Sequence, residues 1–155
     1  IQLITDNELY KTISHKSLEI IKNYQFDDYV NKLLVSYQVT PTISVIIPNY
    51  NYAAYLPKRI NSILDQTYQP TEIIFLDDNS TDDSLVVAEQ LLSKSSIPYT
   101  IIKNDVNQGV FKQWSNGIKL ATSELLWIAE ADDFCDHKFL EQMKSSFSDK
   151  KPYPG

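Results

Sequence analysis

The chain has 155 residues, a formal net charge of -6, one cysteine and three glycines. That length allows one ordinary domain with a short appendage, and 43% apolar residues suffice for a real core. The lone cysteine excludes a disulfide framework and a multi-cysteine metal site, and suits a reducing compartment. Cys135 itself reads as a small buried hydrophobe. Gly109, Gly117 and Gly155 leave no room for a G-x-G-x-x-G or G-x-x-x-x-G-K-[ST] loop, so phosphate would have to be held another way. The acidic balance offers no basic stripe for nucleic acid. No run approaches the ~18 apolar residues of a membrane span. The opening Ile1-Gln2-Leu3-Ile4 has no basic region typical of a signal peptide. A cytoplasmic location is expected, and the missing initiator methionine suggests a fragment of something longer.

Residues 1–41 read as a helical extension or linker. Leu9, Ile13, Ser17 and Ile20 recur at helical spacing, as do Phe26, Val30, Leu33, Leu34 and Tyr37. Two short amphipathic helices result, whose apolar faces need a partner: the main domain, a further domain or another chain, such as a second copy. From residue 42 onward the rhythm changes. Ile43-Ser-Val-Ile-Ile47, Ile73-Ile-Phe-Leu76, Tyr99-Thr-Ile-Ile102 and Leu125-Leu-Trp-Ile128 are strand-like runs roughly 25 to 30 residues apart, of the kind covered on both faces. Helical stripes lie between them. Leu56, Ile60, Ile63 and Leu64 form the first, and Leu85, Ala88, Leu91 and Leu92 the second, after a capping box at Ser80-Thr-Asp-Asp83. Phe111, Trp114, Ile118 and Ala121 form the third. A last helix starts after Asp136 and buries Phe139, Leu140, Met143 and Phe147. The expected fold class is α/β, a mostly parallel sheet flanked by helices.

Eight acids fall in two clusters: Asp77, Asp78, Asp82 and Asp83 after the second strand, and Glu130, Asp132, Asp133 and Asp136 after the fourth. Both lie at the C-terminal edge of the sheet, where open α/β sheets bind ligands. Like charges gathered there call for compensation, which a divalent cation supplies through carboxylate oxygens. Helix capping accounts for Asp82, Asp83 and Asp136. It does not account for Asp77, Asp78, Asp132 and Asp133. The first strand ends Pro48-Asn49-Tyr50-Asn51-Tyr52, where proline stops the ladder and asparagine tolerates turn geometry. Tyr50 and Tyr52 therefore stand at the same edge, where an aromatic ring either stacks on a base or covers the sheet.

Four segments in this order resemble the successive motifs of family 2 glycosyltransferases of the GT-A fold. They are Ile43-Ser-Val-Ile-Ile-Pro-Asn-Tyr-Asn51, Glu72-Ile-Ile-Phe-Leu-Asp-Asp-Asn-Ser-Thr-Asp82, Asn107-Gln-Gly109 and Trp127-Ile-Ala-Glu-Ala-Asp-Asp-Phe134. The resemblance implies a nucleotide-diphosphate-sugar donor, a UDP-sugar above all, and inverting transfer to an acceptor hydroxyl on a glycan, lipid-linked or protein acceptor. It places Pro48, Tyr50 and Asn51 beside base and ribose, and gives Asp78 a hydrogen bond from the base. Glu130-Ala-Asp-Asp133 stands where the family has Asp-x-Asp. Asp132 and Asp133 would there share the ribose contact and a Mn²⁺ or Mg²⁺ ion, with Glu130 as a further, longer ligand. Asn107 and Gly109 match the loop after the third strand and Asn116-Gly117 the following helix. Tight backbone packing is the expected role of Gly109 and Gly117.

Inversion needs a general base. The family's base carboxylate lies well past the Asp-x-Asp motif, beyond residue 155, and neither His15 nor His137 matches it. The resemblance thus implies a donor-binding part, truncated at its C-terminus and inactive alone. Its lipid-linked acceptors allow a peripheral membrane association. Two rivals remain at this stage. A receiver-type signalling domain also pairs acids after a strand, though after its first strand and with a lysine ending the last. A non-catalytic nucleotide-binding or scaffolding module would lack the base by design.

Overall fold

In the computed structural model residues 41–148 are described; the two helices expected over 1–40, and residues 149–155, lie outside them. Strand β1 (Ile43–Asn49) is buried along its whole length. Strand β2 (Glu72–Asp77) is nearly so. β3 (Tyr99–Lys103) and β4 (Leu125–Ile128) flank them in the order β3-β2-β1-β4, every pair parallel. The apolar runs predict four covered strands. β1 and β2 fit, whereas the outer strands stay half-exposed, with Leu126 open to solvent.

Proline does not end β1 on both sides. Pairing with β4 stops at Ile46, whose carbonyl accepts from Ala129, but pairing with β2 runs through Pro48 to Asn49, whose carbonyl accepts from Asp78. Alternation therefore points the missing N–H of Pro48 toward β4, beyond the end of that ladder, where it costs no hydrogen bond.

Helices α1 (Leu56–Leu64), α2 (Ser84–Leu92), α3 (Val110–Leu120) and α4 (Phe139–Ser148) complete the domain. Val45, Ile47, Ile73 and Phe75 face Leu56, Ile60, Ile63, Ala88 and Leu92 in the larger core. Ile46, Ile74 and Leu76 point to the other side, toward α3. α4 joins the α1 side: Phe139 lies against Trp127 at 4.7 Å between centroids, and the Leu140 amide donates to buried Gln66 Oε1 (2.8 Å). Leu140 is fully buried as expected, but Phe147 is about half-exposed.

Two expectations are corrected at the helices. Of the stripe Phe111, Trp114, Ile118 and Ala121, only Ala121 packs on the core and Trp114 is half-buried, whereas Ile118 is exposed and Phe111 is 76% exposed; the buried residues of α3 are Gln113 and Gly117. A Cβ at Gly117 would run into the side chain of Ile46, so the glycine lets the helix sit directly on β1. Gly109 is different, since a Cβ there meets nothing; it is required by its φ of 85° instead. The capping box is also shifted. α2 starts at Ser84, Asp83 makes no side-chain cap bond, and Asp82 Oδ1 accepts from the Ser84 amide (3.0 Å). Asp136 caps the turn before α4 rather than the helix itself, its Oδ1 accepting from the Lys138 amide (2.9 Å).

Candidate functional site

The loops leaving the C-terminal ends of β1, β2 and β3 are tied together by side chains. Asn51 and Asn79 take left-handed backbone conformations (φ 58° and 64°), which asparagine tolerates. Asn49 Nδ2 donates to Asp77 Oδ1 (2.8 Å) and Ser80 Oγ (3.1 Å), and the Asn51 amide donates to Ser80 Oγ (2.9 Å). The Ala53 amide donates to Asp82 Oδ2 (2.9 Å), and the Thr81 amide to Asn51 Oδ1 (2.8 Å). Asp77, fully buried, is thus committed to the β1 side.

Asp78 serves the opposite neighbour. The residue is 2% exposed. Oδ1 accepts from Asn104 Nδ2 (2.8 Å), the Gln108 amide (2.8 Å) and Gln113 Nε2 (2.6 Å), and Oδ2 from the Gly109 amide (2.8 Å). Burial alone would raise its pKa. The hydrogen bonds from Gln108, Asn104, Gly109 and Gln113 together outweigh burial and hold the group below its ordinary 3.8. Acceptor capacity toward a ligand remains mainly at Oδ2. Paired acids at this strand end are therefore cross-ties between three loops. Both are too buried and too engaged to serve as the phospho-acceptor of a receiver domain.

These ties enclose a cavity of about 320 Å³ lined by Pro48, Asn49, Tyr50, Tyr52, Asp78, Asn107, Gly109, Val110, Gln113 and Glu130. Of the residues expected at the nucleotide, Pro48, Tyr50, Asp78, Asn107 and Gly109 line it. Asn51 does not, because its side chain is spent on Thr81. Asp132 and Asp133 are exposed on the turn beyond Glu130 and are not lining residues.

That turn is built by alternation. Ala129 and Ala131 are buried in the α1-side core, which turns Glu130 to the other side, where its Oε1 accepts from Trp114 Nε1 of α3 (3.0 Å). From α1, Arg59 reaches the same turn. It is 3% exposed, its Nε donates to the Glu130 carbonyl (2.6 Å), and its Nη2 stands 4.0 Å from Asp133 Oδ2. Burial lowers the guanidinium's pKa, opposed by the fields of Cys135, Asp133, Asp132 and Glu130; arginine nonetheless stays charged. Beside it, Lys58 Nζ lies 3.4 Å from the Phe134 ring centroid. Acid crowding at this edge is thus relieved in part by a protein cation. Cys135 is half-buried rather than buried, its Sγ accepting from Gln66 Nε2 at 3.3 Å.

Among the described residues no three His, Cys, Asp or Glu side chains gather as a metal cage. The donor set suits instead a hard cation that takes most of its ligands from phosphate and water and one or two from carboxylates. Asp132 and Asp133 are exposed enough to provide them, and Glu130 has one of its two oxygens engaged by Trp114.

Sequence reasoning missed Arg59 and Gln113. Arg59 lies about 60° from Leu56 at 100° per residue, just beyond Ile63 at the edge of the apolar arc of α1, so the helical pattern gives only a weak signal for its burial. Gln113 lies one turn before Gly117, on the face that the glycine marks as closely approached.

A family model for glycosyl transferase family 2 matches residues 44–152. The uncharacterized glycosyltransferase alr2836 of Nostoc sp. is 44% identical over 91 residues, covering 59% of this chain and 28% of that protein. Glycosyltransferase GlyG of Streptococcus pneumoniae serotype 4 is 33% identical over 109 residues, covering 70% of this chain and 36% of that protein. The crystal structure of S. aureus TarS 1-349 in complex with UDP is similar with a TM-score of 0.63 and 26% identity, over 69% of this chain and 32% of that one. The chain thus spans about a third of the length of these relatives.

Proposed function

The chain belongs to glycosyl transferase family 2, and we propose that its described domain is the donor site of such an enzyme. It binds a nucleotide-diphosphate sugar with uridine as the nucleoside, and serves inverting transfer to an acceptor hydroxyl of a glycan, lipid-linked or protein acceptor. The observation that carries this reading is the cavity at the C-terminal edge of the parallel sheet, of nucleoside size, lined by Tyr50 and Tyr52 together with Asp78, Asn107 and Gly109. The similar TarS structure, which holds UDP, supports uridine as the base.

Each residue then has a role. Tyr50 and Tyr52, both partly exposed, offer ring faces to the base. Asp78 Oδ2 accepts from a base N–H, and Glu130 faces the ribose side of the cavity. Asp132 and Asp133 are the residues that would hold a Mn²⁺ or Mg²⁺ ion. When bound, that cation supplies Lewis-acid stabilisation of the leaving diphosphate. The acceptor and the general base belong to the enzyme as a whole.

Calorimetry of UDP with and without Mn²⁺, on the wild type and on Asp132→Ala, tests the reading. The wild type is expected to bind UDP more tightly with Mn²⁺, and Asp132→Ala to lose most of that gain. Absence of binding of UDP, TDP and GDP under either condition would overturn it.

A further inference from the structure

Arg59 is the buried cation of the described core, and its guanidinium carbon lies 5.5 Å from the centroid of the Trp127 ring. The rest of the buried face of α1 is Leu56, Ile60 and Ile63, and an aliphatic side chain would fill the same space without desolvating an ion. What the guanidinium does beyond that aromatic contact, and an aliphatic chain could not, is grip the acidic turn. Its Nε bond to the Glu130 carbonyl is 2.6 Å, and its Nη2 faces Asp133. Trp114 holds the Glu130 carboxylate from the helix on the opposite face of the sheet, so the turn is clamped from both sides. Nη1 is buried and has no partner among the described residues. The protein therefore tolerates an unsatisfied donor to keep this fork in place.

We propose that Arg59 is a positioning residue of the donor site, fixing the turn Glu130–Asp133 so that Asp132 and Asp133 are presented to a cation on the nucleotide's diphosphate. The assignment rests on the donor-site reading above. Groups that orient metal ligands without touching the metal are coupled to its affinity, and their loss typically weakens binding by about tenfold or more.

The test is UDP calorimetry on the full 155-residue chain, with and without Mn²⁺, for wild type, Arg59→Met and Arg59→Lys, with melting curves for each. Arg59→Met is expected to cut the gain in UDP affinity from Mn²⁺ by about tenfold while leaving metal-free affinity within about twofold. Arg59→Lys keeps the charge but not the fork, and is expected to recover part of that gain. It also carries the test if Arg59→Met fails to fold. An unchanged gain in both variants overturns the assignment. So does an equal fall with and without metal, which a general loosening would give. A wild type that binds no nucleotide overturns the donor-site reading beneath it. A wild type that binds UDP with no response to Mn²⁺ leaves that reading standing and overturns the role of Arg59.

Discussion

Asp78 shows how one side chain can be legible in place and not in task. A paired acid at a strand end is visible in the sequence, but its four donors are not, since they come from residues 26 to 35 positions away. Asp78→Asn would keep the shape, remove the charge and set an amide N–H₂ against donors already aimed at that position. Bonds to a buried charge are worth more than neutral ones, and the stranded donors add a penalty, so a loss of roughly 2 to 4 kcal/mol is expected. Thermal melting at pH 7 checks this, with a fall of roughly 10 °C expected. Because the folded-state pKa of Asp78 is lowered, its contribution is present above the ordinary 3.8 and is lost as pH falls below that value toward the folded one. The gap in stability between wild type and Asp78→Asn should therefore narrow on acidification from pH 5 to pH 3. A constant gap would mean that the charge of Asp78 is not what holds the loop.

At the level of elements, the existence of every described helix and strand is legible, and the orientation of α3 is not. Apolar periodicity places Phe111, Trp114 and Ile118 inward, yet the helix is turned by two constraints that periodicity does not count. One is the contact of Gly117 with Ile46, and the other is the tie from Gln113 to Asp78. Propensity and packing then predict opposite signs for Gly117→Ala. Alanine is favoured over glycine in a helix interior by about 1 kcal/mol, but a methyl pressed against a buried strand costs about 1 to 3 kcal/mol. Chemical denaturation is expected to show Gly117→Ala less stable than wild type. Phe111→Ala, at a 76% exposed position, should change stability by less than about 1 kcal/mol. A stabilised Gly117→Ala would show that α3 stands off the sheet.

The strand order β3-β2-β1-β4 puts the two most buried strands at the centre, so the loops after β1 and β2 are neighbours and that after β3 lies beside the latter. Alternation of strands with helices makes the parallel sheet legible. The gathering of Tyr50, Asp78 and Glu130 in one cavity needs the order, which spacing does not encode. The hydrogen bonds of Asn49, Asn51, Asp77, Asp78 and Asp82 make those three loops one unit. A nucleotide that binds any wall of the cavity must then stabilise all of them. By mass action a ligand at a hundred times its Kd adds about 2.7 kcal/mol to the folded state, and local openings of the loops should fall together with it. With UDP and Mn²⁺ present, hydrogen exchange is expected to slow at the amides of Asn51, Ala53, Thr81, Gln108 and Gly109 alike, with the melting temperature rising as ligand concentration rises. Protection confined to one loop would mean that the side-chain ties do not transmit binding across the sheet edge.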